Sequence, residues 1–281
     1  MVRSHEKRTL YRYLREEEER LALWIILLLG AVQGLTEFLP VSSSGHLVLL
    51  SILLFHGSYE ENFAVGLALH VGSALAVILV YRKTILSFFT KKGAKKLWLL
   101  VLASLPAAVV GLLFQEKIEK LFSGSFLGFG FLLTAALLIF TENMAKSARR
   151  DGGSSPFTAK TALSMGIMQA FAVIPGLSRS GSTVFGGTFC CADREEVADF
   201  SFLMSLPVIL GGAAKELLFS APHGGTAVAP GLLILGGAAA FVFSLLSLLW
   251  MKNVVKRARF YGFAAYLLCL GVGVLLWQFA F

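Results

Sequence analysis

The hydrophobic pattern of the chain comes in long blocks. Spans at about 63–81, 97–114, 124–141, 197–214, 228–250 and 260–280 are almost free of charged residues. Each is long enough, or nearly so, to cross ~30 Å of hydrocarbon as a helix. A helix on the surface of a water-soluble domain would show a polar face every 3.6 residues, and these blocks do not. The pattern predicts an all-α, polytopic membrane protein. The composition agrees: 56% of the 281 residues are hydrophobic and only 15% are charged, where a soluble domain carries about a quarter charged.

The net charge of +8 is a matter of topology and not of nucleic-acid binding. The cations cluster between spans, at Arg82, Lys83, Lys91, Lys92, Lys95 and Lys96, at Lys146, Arg149, Arg150 and Lys160, and at Lys252, Lys256, Arg257 and Arg259. By the positive-inside rule these three loops are cytoplasmic. The loops around His56–Asn62, Gln115–Ser123 and Leu218–Ala229 are then external. Cys190, Cys191 and Cys269 lack metal-ligand spacing and read as small packing residues. Residues 1–20 form a charged extension that lacks the basic start and cleavage site of a signal peptide. Within it, Leu10–Arg20 reads as a surface helix. Residues 21–281 form a single membrane domain.

That domain repeats itself. "GAVQGLTEFLPVSSSGH" begins at Gly30 and "GIMQAFAVIPGLSRSGST" at Gly166, so that Gly30, Gln33, Ser42, Ser44 and Gly45 recur as Gly166, Gln169, Ser178, Ser180 and Gly181. Self-similarity of this kind marks duplication, with repeat 1 at about 21–142 and repeat 2 at about 159–281. Combined with the loop assignment, the two halves run in opposite directions, which makes an inverted-topology repeat. Each repeat opens with a re-entrant segment, 22–55 and 160–195, too broken at Pro40 or Pro175 to cross as one helix. Broken backbone at membrane depth survives only where protein or a wet cavity satisfies it, so the two breaks are expected to meet and line one cavity.

The polar residues in the breaks carry chemistry. Gln33 and Glu37 share one helix face, and a carboxylate inside an apolar run is a functional candidate. Capping the next helix accounts for one of Ser42, Ser43 and Ser44, but not for three of them with His46 a turn later. A hydroxyl, an imidazole and a carboxylate can form a nucleophile, base and orienter. In the second break Arg179 stands among Ser178, Ser180, Ser182 and Thr183, after a Pro-Gly pair. A helix start with hydroxyls and a guanidinium is an anion site, most naturally for phosphate.

"QGLTEFLPVSSSGH" and "PGLSRSGST" together resemble the two signature motifs of the undecaprenyl-diphosphate phosphatase family, the bacitracin-resistance membrane phosphatases, over nearly the whole chain from Leu21. The resemblance implies hydrolysis of undecaprenyl diphosphate to undecaprenyl phosphate and inorganic phosphate in the bacterial cytoplasmic membrane. That reaction recycles the lipid carrier of peptidoglycan synthesis. It also implies active-site roles for Glu37, Ser42, Ser43, His46, Ser178 and Arg179, and dependence on a divalent cation, Mg or Ca. The first motif position, often Glu in relatives, is Gln33 here, which weakens any scheme with two carboxylates on a metal. Glu37 is then the one carboxylate in either motif that could touch a cation, carried mainly by the diphosphate. The expected mechanism has Ser43 as nucleophile, His46 as its base, Glu37 orienting the ring, and Arg179 with Ser178 holding phosphate. Gln33, Ser42, Ser44, Ser180, Ser182 and Thr183 complete the binding set. Water activated by His46 or Glu37 is the open alternative. The motif that carries Glu37 enters from outside, so hydrolysis is expected on the outer face. The polyprenyl tail is expected in an apolar groove open to lipid. A homo-oligomer is neither required nor excluded. A lipid transporter or flippase, or a protein that only sequesters lipid diphosphates, would also use an anion clamp, but would not need the Ser43, His46 and Glu37 set.

Overall fold

A computed structural model describes residues 2–55, 63–91, 93–121, 124–150, 155–219, 228–257 and 260–280. The external loops expected at 56–62 and over most of 218–229 lie outside these residues, as do Lys92 and Arg259. Among the described residues the chain forms helices α1 (Val2–Phe38), α2 (Ser43–Phe55), α3 (Phe63–Ser87), α4 (Ala94–Leu113), α5 (Gln115–Leu121), α6 (Leu127–Arg150), α7 (Ala159–Phe171), α8 (Arg179–Phe189), α9 (Arg194–Phe219), α10 (Pro230–Arg257) and α11 (Tyr261–Ala280).

Each of the six apolar blocks is a helix, α3, α4, α6, α9, α10 or α11, long and apolar enough to cross a membrane. A seventh such stretch is Arg20–Phe38 in α1. The first limb of the first broken segment is therefore as long as a span, and only the return limb α2 is short. The charged extension is not separated from it, for α1 is continuous from Val2.

The packing explains how the breaks come together. α10 lies along both α1 and α3, α6 packs on α11, and α4 packs on α7. Glycine permits the closest of these approaches. A Cβ on Gly30 of α1 would stand 2.6 Å from Gly236 O of α10, and one on the matching Gly166 of α7 would stand 2.4 Å from Ala103 O of α4. Small residues that let backbones touch are the usual cement between helices in lipid. Serines add the polar part: Ser244 of α10 donates to Ser73 of α3 at 2.8 Å, and Ser247 donates to Gly34 O of α1 at 2.7 Å. At the end of α1, fully buried Phe38 meets Phe202 of α9 edge to face at 5.7 Å. That contact anchors the turn after Glu37. Large apolar side chains such as Trp24, Leu79, Leu112, Ile234 and Leu276 point outward around the bundle, which suits a hydrocarbon surrounding and not water.

Candidate active site

The two breaks are built alike. Pro40 stops α1, and Ser42 adopts a left-handed φ of 69°, which a residue with a Cβ seldom takes outside constrained sites. Its Oγ accepts from Gly45 N at 3.2 Å and so caps α2. In the second break Pro175 is followed by Gly176 at φ 87°, where glycine meets no Cβ penalty. Ser178 Oγ accepts from Gly181 N at 3.1 Å and caps α8. Thr134 of α6 pins this break: its Oγ1 accepts from Ser178 N at 2.9 Å and donates to Gly176 O at 3.0 Å. The breaks then join directly, because Ser180 Oγ donates to Leu39 O at 3.0 Å.

Glu37 is the centre of the polar cluster. Its Oε1 accepts from Arg179 Nη2 in a charged hydrogen bond across the two breaks. Its Oε2 accepts from Gln33 Nε2 at 3.0 Å and from Ser43 Oγ at 2.6 Å. Arg179 Nη1 also donates to Ser201 O of α9 at 3.2 Å. Behind Gln33, its Nε2 reaches Ser73 at 3.4 Å, while its Oε1 is buried without a partner. His70 of α3 approaches from the side, with Nε2 4.0 Å from Glu37 Oε2. His70 Nδ1 lies 2.8 Å from Gly66 O, and a carbonyl only accepts, so Nδ1 carries the hydrogen and the open Nε2 faces the carboxylate. A buried ion pair is stable only when its remaining hydrogen-bonding positions are filled, and Gln33, Ser43 and Ser201 fill them here.

Gln33, Glu37, Ser43 and Arg179 are thus brought together, with Ser178 and Ser180 beside them. His46 is bonded to partners other than Ser43 and Glu37. Its Nδ1 bonds Ser42 O at 2.8 Å, and its Nε2 bonds the Tyr266 hydroxyl of α11 at 2.7 Å. Neither ring nitrogen touches Ser43 or Glu37. The reason is local: one helical turn places the ring back over the carbonyl of the capping residue, and this turns the other nitrogen toward α11. Ser43 gives its hydrogen to Glu37 directly. The hydroxyls around Arg179 also diverge. Ser178 and Ser180 bond each other at 3.2 Å, Thr183 bonds Ser201 Oγ at 2.6 Å, and buried Ser182 Oγ has no partner. Ser44 reaches only Ser42, at 3.4 Å.

Five contributors were not read from the sequence as site residues: His70, Ser73, Thr134, Ser201 and Tyr266. Their signal was polarity inside otherwise apolar spans, clearest for His70 and Ser73, three residues apart in "ALHVGSALA". Among the described residues no group of three or more His, Cys, Asp or Glu side chains could hold a metal ion. The protein oxygens nearest to such a role are those of Glu37 and the unpartnered Gln33 Oε1. Among the described residues these fall short of the roughly six oxygens that Mg²⁺ or Ca²⁺ takes, so they do not by themselves make an all-protein cation cage.

A family profile described as "Bacitracin resistance protein BacA" matches residues 26–273. The chain is 37% identical over 265 residues to the "Undecaprenyl-diphosphatase" of Christiangramia forsetii, covering 90% of this chain and 97% of that one. It is 38% identical over 267 residues to "Undecaprenyl-diphosphatase 1" of Burkholderia lata, covering 90% and 96%. To the "Undecaprenyl-diphosphatase" of Geobacillus kaustophilus it is 35% identical over 263 residues, covering 89% and 96%.

Proposed function

The chain belongs to the bacitracin resistance protein BacA family, and from that premise we propose that it hydrolyses undecaprenyl diphosphate to undecaprenyl phosphate and inorganic phosphate. The observation that carries the reading within this chain is the meeting of Ser43, Glu37 and Arg179. A hydroxyl already hydrogen-bonded to a carboxylate is a nucleophile next to its base. A guanidinium at the same carboxylate brings the positive charge that phosphoryl transfer needs.

In the first step Ser43 Oγ attacks the terminal phosphorus and its proton passes to Glu37. The bond from that phosphorus to the bridging oxygen breaks, and the electron pair leaves with undecaprenyl phosphate. Water then cleaves the phosphoserine, with the proton of Glu37 returned to Ser43 Oγ and inorganic phosphate released. Arg179 turns its fork from Glu37 to the transferring phosphate, with the α8 helix start and Ser178 beside it. Any divalent cation comes with the diphosphate, which supplies the oxygens that the residues here lack. The same residues would serve direct attack on the terminal phosphorus by a water that Glu37 deprotonates, with Ser43 as a phosphate ligand.

The clusters of cations in the loops support a site on the outer face, and the helix order supports an inverted repeat. α1 with α2 corresponds to α7 with α8, and the paired glycines Gly30 and Gly166 each touch a helix of the opposite half. The test is phosphate release from undecaprenyl diphosphate by purified protein in detergent, where no membrane separates two sides and transport yields nothing. Release that disappears in Ser43→Ala supports the reading. A wild-type protein that binds the lipid but releases no phosphate overturns it.

A further inference from the structure

His46 Nε2 and the Tyr266 hydroxyl, 2.7 Å apart across 220 positions, meet in the wall of a cavity of about 870 Å³ between α1, α10 and α11. The rest of that wall is mainly apolar and includes Val32, Leu35, Leu39, Trp250 and Phe263. Glu37, Ser43 and Arg179 do not line it. The first break therefore presents two separate polar ends, one at Arg179 and one at Tyr266. An apolar hollow with a hydrogen-bonding pair in its wall is suited to an amphiphile, with hydrocarbon in the hollow and an acceptor at the pair.

We infer that His46 and Tyr266 hold the phosphate nearest the isoprenoid, the one that leaves with the lipid, and that the cavity takes the first part of the hydrocarbon chain. This inference rests on the diphosphate-hydrolysis reading and gives its substrate a direction. The terminal phosphate lies at Ser43 and Arg179, the bridging oxygen comes next, and the lipid phosphate lies at Tyr266.

The geometry explains why the pair suits a leaving group. His46 Nδ1 is committed to Ser42 O, so Nε2 is the nitrogen left to act, and it is capped by the phenol. The ring is further held by an edge contact with Phe131 at 5.4 Å. Tyr266 is 47% exposed, which leaves its hydroxyl room to turn from Nε2 to a phosphate oxygen. Nε2, taking a proton from solvent, then donates to the same phosphate. Two donors at the leaving phosphate stabilise the charge that the bridging oxygen gains as its bond to the terminal phosphorus breaks.

The test reads binding, not turnover. Affinities of undecaprenyl phosphate and of inorganic phosphate are measured on the full chain in detergent, for wild type, Tyr266→Phe and Gly262→Leu. Tyr266→Phe removes one oxygen. Gly262 lines the cavity, and a Cβ there meets nothing within 4 Å, so a side chain can be introduced there to take up room in the hollow. Lipid phosphate should bind about tenfold more weakly in Tyr266→Phe, as for one lost hydrogen bond to a charged group, and at least as weakly in Gly262→Leu. Inorganic phosphate should bind as in wild type, because its clamp is at Arg179. Unchanged lipid-phosphate affinity in Tyr266→Phe, or an equal loss for both ligands, overturns the inference. A wild type that binds lipid phosphate through Tyr266 yet releases no phosphate from the diphosphate would refute the hydrolysis reading alone.

Discussion

Buried Glu37 of α1 and half-buried Arg179 of α8, 142 positions apart, form an ion pair that ties one chain break to the other. The pair sits where a charge without a partner would be most costly. It gives each break what the other lacks: an acid with its serine on one side, and a fixed cation on the other.

Breaking that pair by one residue should cost stability as well as activity. Glu37→Gln leaves Arg179 without its counter-charge, and loss of one partner of a buried pair costs about 3–5 kcal/mol. Arg179→Gln should be similarly destabilised, whereas the double variant should recover much of the loss and remain inactive. Thermal unfolding in detergent with a phosphate-release assay checks all three. Additive destabilisation in the double variant would show that the two side chains do not act together.

Charge alone should not replace the guanidinium. Arg179 reaches Glu37 and Ser201 O at once, and a lysine ammonium cannot span two acceptors in a planar fork. Arg179→Lys is expected to fold and to turn over at least about tenfold more slowly. Near-wild-type kcat/KM in that variant would remove the fork from the mechanism.

The serines should separate by what they touch. Ser43→Ala removes the hydroxyl bonded to Glu37, and turnover should fall by about 10²–10⁴, the range lost with a positioned proton transfer. Ser44→Ala gives up only a long contact to Ser42, and Ser182→Ala gives up no hydrogen bond. Both should stay within about threefold of wild type. Rates measured under saturating substrate would expose a wrong assignment if Ser44→Ala were as slow as Ser43→Ala.

Much of this architecture was legible as pattern. The six apolar blocks are spans because they carry almost no charge, and Pro40 and Pro175 mark breaks because the serine and glycine runs after them start a new helix, whereas Pro106 and Pro207 lie inside α4 and α9. The rotation of each short helix was not legible. His46 stands three and four residues from Ser43 and Ser42, and spacing allows either as partner. The choice was made by the cap at Ser42, whose left-handed φ sets where α2 begins and turns His46 toward α11. His70 and Ser73 were hidden for a different reason. They lie in an apolar span, and only the seating of α1 and α3 on α10 shows that their face of α3 meets Gln33 and Glu37.

His70 should matter through its proton. Its Nε2 faces the Glu37 carboxylate at 4.0 Å, and its side chain is 30% exposed, so it reaches from a buried acid to the edge of the cluster. His70→Ala should lower kcat by about tenfold or more with little change in lipid-phosphate affinity. Added imidazole should restore part of the rate, as a small base enters the space left by the ring. A variant with unchanged kcat, or one that loses rate without any rescue, would return His70 to a packing role.

The sidedness of the site rests on α3, α4 and α5, and it can be read directly. The stretch 82–96, from the end of α3 to the start of α4, carries six cations, Arg82, Lys83, Lys91, Lys92, Lys95 and Lys96, whereas Gln115–Ser123 carries Lys117 and Lys120 offset by Glu116 and Glu119. The first segment is therefore expected in the cytoplasm and the second outside. Gly93 is unsuited to a reporter, because a Cβ there would stand 2.0 Å from Ser87 O. Lys91 and Lys120 are both exposed and tolerate cysteine. In a chain whose Cys190, Cys191 and Cys269 are first replaced by serine, a membrane-impermeant thiol reagent added to intact cells should label Lys120→Cys and spare Lys91→Cys. Permeabilised cells should label both. The opposite pattern in intact cells would invert the whole chain, and the Glu37 site would then take its lipid diphosphate from the cytoplasmic side.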